Sequence, residues 1–100
     1  MLSDNQRVKA LYDKNFQTYL QKNKDYGNSF TNTYKRLGII SAVTRITDKY
    51  ERLVSLATKP DTERKVLDES LSDTLLDLAN YAIMTVAEIE REKEEANVRS

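Results

Sequence analysis

Cysteine and histidine are both absent from this chain of 100 residues. Their absence excludes disulfides, thiolate nucleophiles, zinc sites of the Cys/His type, and Ser-His-Asp or Cys-His catalysis. We likewise expect no haem and no iron–sulfur cluster, because these side chains usually hold the iron. Any bound metal ion would need carboxylate ligands, which favours a hard cation such as Mg²⁺.

Turn-forming residues and excess charge are also scarce. The chain has two glycines and one proline, which are too few for an all-β fold. Its 16 Lys and Arg residues equal its 16 Asp and Glu residues, so it lacks the basic excess that neutralises a long nucleic acid. No apolar run is long enough to cross a bilayer, and no signal peptide is evident. We therefore expect one soluble, cytoplasmic, all-α domain over residues 1–100, with no membrane or long nucleic-acid partner.

Helical periodicity is what the sequence does contain, in four segments. They are predicted at about residues 4–23, 28–37, 39–58 and 68–94. Residues 22–28 break the periodicity and are predicted to form a loop. Gly38 marks a bend, Pro60 marks a helix end, and Asp61 can cap the last helix. The pattern predicts a four-helix bundle.

The third and fourth of these helices carry broad apolar stripes. The stripe of the third comprises Ile39, Val43, Ile46, Tyr50, Leu53 and Ala57. The main stripe of the fourth comprises Leu71, Leu75, Leu78, Ala82, Thr85 and Ile89. Because a chain this small has a marginal core, we predict a homodimer or larger oligomer with the third or fourth helix in the interface.

Two further expectations concern burial. The tyrosines at helical spacing are expected in the core, and they are Tyr12, Tyr19, Tyr34 and Tyr50. The end of the fourth helix, over residues 88–100, is rich in charge and is expected to project into solvent.

A file of acidic and amide side chains runs through the apolar fourth helix. Its members are Glu69, Asp73, Asp77 and Asn80. They are separated by steps of four, four and three residues, so they share one face. The face is either a site for a divalent cation or polar ligand, or simply the solvated side of the helix. Like charges at this spacing mildly destabilise a helix, and no Lys or Arg on that face relieves them, which favours a ligand site.

A file of basic side chains lies on the third helix. Arg45, Lys49 and Arg52 occur at positions i, i+4 and i+7, along one flank of the apolar stripe. They can form a phosphate clamp, since arginine suits bidentate contacts to phosphate. They can equally form ion pairs, which contribute little at a surface.

The predicted loop after the first helix offers a third candidate site. It contains Lys24, Asp25, Tyr26 and Gly27. The tyrosine could stack on a base, and the aspartate could accept hydrogen bonds from base edges or a ribose. A simpler interpretation is that the Tyr-Gly pair only closes a helix connection.

Three blocks of the sequence resemble a nucleotide modification-associated domain family. They are residues 69–82, with the run ESLSDTLLDLANYA, residues 24–27 and residues 45–53. The resemblance covers about residues 22–87. That family is similar to the MazG-type all-α nucleoside triphosphate pyrophosphohydrolases, in which Glu-x-x-Glu and Glu-x-x-Asp pairs on two helices bind Mg²⁺. The resemblance implies an oligomeric, MazG-like helical bundle that handles nucleotides.

The sequence departs from the MazG-type metal site. Asp73 matches the final Asp of the second pair, but Ser70 stands in place of its glutamate. The pair formed by Asp48 and Glu51 is the only counterpart of the first, and helical spacing directs it away from the core. The resemblance therefore supports an expectation about the fold of this chain more strongly than one about its activity.

The leading hypothesis is a nucleotide-binding protein with weak or absent hydrolysis. Its predicted ligand-binding residues are Lys24, Asp25, Tyr26, Arg45, Lys49, Arg52, Asp73, Asp77 and Asn80. A second hypothesis is a Mg²⁺-dependent pyrophosphohydrolase whose metal ligands are Glu69, Asp73 and Asp77. A third is a phage-type protein that sequesters a nucleotide signal without turnover, and a fourth is a purely structural bundle.

Overall fold

Four helices account for the secondary structure of the residues that the structure describes. The computed structural model describes residues 1–26, 28–59 and 63–99, with side chains except at positions 25, 26 and 99. The helices are α1 (Asp4–Tyr26), α2 (Ser29–Leu37), α3 (Ile39–Ala57) and α4 (Arg64–Arg99). Because these residues contain no strand, the all-α prediction is confirmed. In the same residues, none of the helices combines the length and the apolar character that a bilayer crossing requires.

The end of α1 differs from the prediction. Residues 24–26, predicted as a loop, are the last turn of α1. The loss of apolar periodicity was misleading here, because a helix end in solvent needs no apolar stripe. Lys22, Asn23 and Lys24 are all exposed and are compatible with a helix, since no Gly or Pro interrupts them. Gly27, Pro60 and Asp61 lie outside the described residues.

The junction of α2 and α3 forms as predicted, with Gly38 as the bend. Gly38 has φ 78° and ψ −165°, a backbone conformation that an L side chain rarely adopts. Its N–H donates to the carbonyl of Tyr34 at 2.7 Å, and its carbonyl accepts from the N–H of Ser41 at 3.0 Å. These two bonds satisfy the carbonyl of Tyr34 near the end of α2 and the N–H of Ser41 near the start of α3.

The longest helix, α4, spans the molecule. Its 36 residues correspond to about 54 Å at 1.5 Å per residue, which matches the longest dimension of the chain, 55 Å. It packs against α3, and it contacts α1 near its middle, at Leu76 and Asn80. It reaches α2 through the ring pair of Phe30 and Tyr81, whose centroids are 5.9 Å apart. This is the central position that its broad apolar surface predicts.

The core within one chain is incomplete. Among the described residues, the buried apolar side chains are Tyr34, Ala42 and Leu56. The accessible surface of 7953 Å² exceeds the roughly 5,800 Å² expected for a compact protein of this mass. The radius of gyration of 16.4 Å likewise exceeds the about 13 Å typical of 100 residues. The single chain is therefore extended and leaves much apolar surface uncovered.

The predicted stripe on α3 is rotated relative to the observed one. The buried and half-buried positions include Ala42, Ile46 and Leu56, whereas Val43 and Tyr50 are 45% and 58% exposed. Periodicity identifies residues that share a face, and the apolar residues of α3 cover a broad arc, so the sequence alone did not show which edge of that arc meets α4.

The predicted burial of the tyrosines and of the apolar stripe on α4 is only partly correct. Tyr34 is buried as expected, but Tyr12 is 66% exposed and Tyr50 lies on the outer face of α3. On α4, Leu75 is 52% exposed while its neighbour Thr74 is buried. The hydroxyl of Thr74 donates to the carbonyl of Ser70 at 2.7 Å, so its burial leaves no unsatisfied donor.

Glu88 is buried, although the charged end of α4 was expected to project into solvent from this residue onward. It is only 4% exposed, and it accepts hydrogen bonds from Thr31 at 2.7 Å and Arg91 at 2.6 Å. A buried carboxylate is tolerated when it is paired in this way. The carboxylate thus connects α2 to α4, whereas residues 92–98 are exposed as expected.

Tyr34, beside this cluster, gives a pH-dependent prediction. Burial, a hydrogen bond to Glu92 and the charges of Glu92 and Glu88 raise the pKa of Tyr34 above its ordinary value of 10.0. The folded state therefore holds this proton more tightly than the unfolded state. The resulting stabilisation is complete below about pH 10 and is lost as the pH rises through the folded pKa.

We expect the free energy of unfolding to fall more steeply above pH 10 in the wild type than in Tyr34→Phe, which has no phenolic proton. Urea denaturation over a pH series measures both curves, and every other ionisable group is common to both proteins. Parallel curves for the two proteins would contradict the assigned role of Tyr34.

Candidate functional site

The four helices meet at a pocket of about 220 Å³, here called the junction pocket. Helix α1 contributes one turn, α2 its first turn, α3 one side chain, and α4 its middle. The lining side chains are Tyr19, Lys22, Asn23, Ser29, Phe30, Arg45, Asp77, Asn80, Tyr81 and Met84. The pocket therefore combines cations, amides and aromatic rings at one point of the fold.

Asp77 is the electrostatic centre of the junction pocket. One of its carboxylate oxygens accepts from the Lys22 ammonium of α1 at 2.8 Å, and the other lies 3.5 Å from the Lys49 ammonium of α3. The Asp77 side chain is 28% exposed, so solvent screens both pairs and each contributes modestly to stability. Their structural effect is to hold two lysines from different helices beside one carboxylate.

A buried amide pair fixes α1 against α4 next to this carboxylate. Asn15 is 8% exposed, and its amide nitrogen donates to the carbonyl of Leu76 at 3.0 Å. The amide nitrogen of Asn80 donates to the side-chain oxygen of Asn15 at 3.1 Å and to its carbonyl at 3.2 Å. This network positions Asn80 in the wall of the junction pocket.

Aromatic side chains form the apolar part of the wall. The rings of Phe30 and Tyr81 are tilted by 36°, and Tyr19 stacks on Phe16 with centroids 6.1 Å apart. Aromatic faces of this kind can stack on a planar heterocycle, a contact that tolerates different bases. The guanidinium of Arg45 and the ammonium of Lys22 supply donors for an anionic group.

Of the site residues predicted from the sequence, four come together at this point. Arg45, Asp77 and Asn80 line the junction pocket, and Lys49 contacts Asp77 from the adjacent turn of α3. The acidic and basic files thus meet at the contact between Lys49 and Asp77, which is compatible with both the ion-pair interpretation and the ligand interpretation.

The remaining predicted site residues do not line the pocket. Arg52, Glu69, Asp73 and Lys24 are exposed and are not among the lining side chains. The side chains of Asp25 and Tyr26 lie outside the described residues, although the flanking Asn23 and Ser29 do line the pocket.

The contribution of α1 and α2 to the junction pocket was not predicted from the sequence. Asn15, Tyr19 and Lys22 follow one another at steps of four and three residues, so they share a face of α1. The sequence signal that could have identified this face is that polar residues interrupt the apolar side of the helix. Phe30 carried no such signal, because its place in the site depends on contacts distant in sequence.

The residues at the junction do not fit a metal ion held by the protein alone. Within the described part of the chain, no three Asp or Glu side chains come close enough together to hold a cation. Among the described side chains that line the junction pocket, Asp77 is the single carboxylate, and two ammonium groups already neutralise it. This donor set suits an anionic ligand better than a divalent cation.

Comparisons with known proteins agree with one part of the sequence analysis. No curated protein and no solved structure matches the chain. The sequence profile of the family described as "Nucleotide modification associated domain 1" matches residues 22–89, a range that contains nine of the ten side chains of the junction pocket. The chain therefore belongs to the Nucleotide modification associated domain 1 family.

Proposed function

We propose that this protein binds a phosphate-bearing nucleotide in the junction pocket and hydrolyses it weakly or not at all. The observation that carries the proposal is the convergence of Lys22, Lys49 and Arg45 with three aromatic rings at one point. Cations recognise phosphate, and aromatic faces recognise a base. The family description refers to nucleotides, which agrees with this chemistry.

The size of the pocket restricts the class of nucleotide. Its volume of about 220 Å³ lies below the roughly 300–1,000 Å³ of sites that enclose a drug-sized ligand. A single base with its sugar fits this space, and the phosphates would extend toward the lysines and solvent. A mononucleotide is therefore favoured over a dinucleotide or a polymer.

Polar side chains can select the base or the sugar. Asn80 uses its amide nitrogen on Asn15, which leaves its amide oxygen to accept from a ligand. Asn23 and Ser29 also line the pocket and add further donors and acceptors. These residues provide the few oriented polar groups that a ligand site in an apolar surrounding requires.

Weak or absent hydrolysis follows from the surroundings of Asp77. Phosphoryl transfer depends on stabilising the charge that develops on phosphate oxygens, usually with metal ions held by carboxylates. Among the described side chains that line the junction pocket, the carboxylate of Asp77 is paired with Lys22 and Lys49. We propose a MazG-like helical arrangement whose site binds a nucleotide. Such a site is compatible with a protein that sequesters the nucleotide without turnover.

A nucleotide panel tests this proposal. The purified protein is incubated with the common ribo- and deoxyribonucleoside mono- and triphosphates, in EDTA and separately in Mg²⁺, and bound and released species are identified by mass spectrometry. The proposal expects a retained nucleotide in EDTA that is returned unchanged. Release of pyrophosphate only in Mg²⁺ would instead establish the enzyme, and no retained species under either condition would refute nucleotide binding.

Replacing Asp77 shows whether its carboxylate competes with a phosphate for the two lysines or holds them in position to bind one. We expect Asp77→Asn to bind inorganic pyrophosphate more tightly, on the order of threefold, because the lysines lose a competing partner worth about 0–1 kcal/mol at this exposure. Isothermal titration calorimetry measures the change. Asp73→Asn is the matched control, since it removes the same charge at an exposed position outside the pocket. Weaker binding by Asp77→Asn would contradict this competition and show that the carboxylate holds the two lysines in the position that binds the ligand.

A further inference from the structure

A long groove lies beside the junction pocket, bounded by α1, α4 and the start of α2. Its volume is about 770 Å³, which is larger than the junction pocket. On the α1 side it is lined by Leu11, Tyr12 and Phe16, and on the α4 side by Ala79 and Ile83. Leu11 is 43% exposed, and Tyr12, Phe16 and Ile83 are each more than half exposed. The groove is therefore an uncovered apolar surface that interior packing would normally fill.

We infer that a second copy of this chain packs into this groove and, by doing so, closes one side of the junction pocket. The packing follows from the groove itself, while the effect on the ligand rests on the proposed function. Two observations support a second copy as the occupant, and a third connects the groove to the ligand.

The first observation is the area that the single chain leaves uncovered. Its surface of 7953 Å² is about 2,100 Å² more than expected for a compact protein of this mass. Obligate homodimers bury roughly 2,000–5,000 Å² in total, which is about 1,000–2,500 Å² from each chain. The excess thus matches what one chain contributes to a stable homodimer, and exceeds what a weak contact needs.

The second observation is the charge of the groove. The charged side chains that line it are Asp13, Glu88 and Arg91. Asp13 pairs with Lys9 at 2.7 Å, and Glu88 pairs with Arg91 at 2.6 Å. Two copies that meet through the same surface place like groups near each other, and internal pairing removes the repulsion that would otherwise result. A strongly charged partner would find no complementary charge here.

The third observation connects the groove to the ligand. Tyr19, Asn23, Phe30, Asn80 and Met84 line both the groove and the junction pocket. A helix seated in the groove therefore contacts the same side chains that enclose the nucleotide. If assembly orders these side chains, the nucleotide binds the dimer more tightly, and by linkage it must also strengthen the dimer by the same factor.

The interface is tested by sedimentation of Tyr12→Glu and Leu11→Glu, which place a charge in the groove away from the junction pocket. Val66→Glu is the matched control, because Val66 is 50% exposed on α4 and lies outside the groove. The wild type and Val66→Glu are expected to be dimeric or larger. The dissociation constant of the dimer is expected to be at least about tenfold higher in both groove variants. A wild-type monomer, or groove variants that assemble like the control, would overturn the inference.

The linkage is tested on the wild type, so that it does not depend on the variants folding. Sedimentation over a dilution series is compared with and without an equimolar mixture of the common ribo- and deoxyribonucleoside mono- and triphosphates. We expect the nucleotides to lower the dissociation constant of the dimer about fivefold or more. An unchanged value together with bound nucleotide would refute the closure of the pocket. A groove-dependent dimer that binds no nucleotide would refute the proposed function and support the interface.

Discussion

Replacing Arg45 with alanine should weaken nucleotide binding about tenfold or more, which is the largest functional effect that we expect from one side chain. A hydrogen bond to a charged group contributes roughly 1.5–3 kcal/mol, and about 1.4 kcal/mol corresponds to a factor of ten. Arg45 is exposed and lines the junction pocket, so its truncation should leave the fold intact. Isothermal titration calorimetry with the nucleotide retained in the panel measures the loss.

Arg52→Ala is the matched control for this prediction. Arg52 lies two turns further along the same helix, is exposed, and is outside the junction pocket. Both variants remove one positive charge, so a general electrostatic attraction would weaken equally in the two. Equal losses would contradict a phosphate contact by Arg45. Binding by the wild type should persist in EDTA and weaken with added salt, which screens exposed charges.

Asn15→Ala should lower the free energy of unfolding by about 1–3 kcal/mol, the cost of leaving a buried polar group without its partner. The substitution removes one of the two acceptors of the Asn80 amide nitrogen, the side-chain oxygen of Asn15, and the donor to the Leu76 carbonyl. In a domain of this size each kcal/mol lowers Tm by about 4–8 °C. Urea and thermal denaturation, followed by circular dichroism, measure the change.

Gln17→Ala controls for the loss of an amide on the same helix, because Gln17 is exposed. A surface substitution of this kind is expected to change stability by less than about 0.5 kcal/mol. If Asn15→Ala and Gln17→Ala have the same small effect, the amide pair does not hold α1 on α4. The position of Lys22 and Tyr19 in the pocket would then need another explanation.

The helices were predictable because their cause is local. Periodic apolar residues and the scarcity of Gly and Pro specify α2, α3 and most of α1 and α4. The orientation of α3 was not predictable in the same way. Val43 and Tyr50 lie beside Ile46 and Leu53 on one broad apolar arc, and which edge of the arc is covered depends on contacts with other elements.

The candidate site was predictable only where polar residues interrupt an apolar face. Arg45, Asp77 and Asn80 could be identified because helical spacing places them on lines along α3 and α4. Lys22 carries a similar signal on α1, whereas Phe30 carries none, since it reaches the site through a contact with Tyr81, about 50 positions away in sequence. Glu88 shows the converse difficulty, because a charge in a charged run was expected in solvent but is buried by its pairing with Thr31 and Arg91.

The central claim is that a nucleotide occupies the point where the four helices meet, and nuclear magnetic resonance tests it most directly. Backbone amide signals of the labelled protein are recorded as the retained nucleotide is added. The largest shifts are expected at Tyr19, Asn23, Phe30, Arg45 and Asn80, which line the junction pocket, with little change along the exposed residues 92–98. Shifts confined to Glu69 and Asp73, or no saturable shift at any residue, would contradict it.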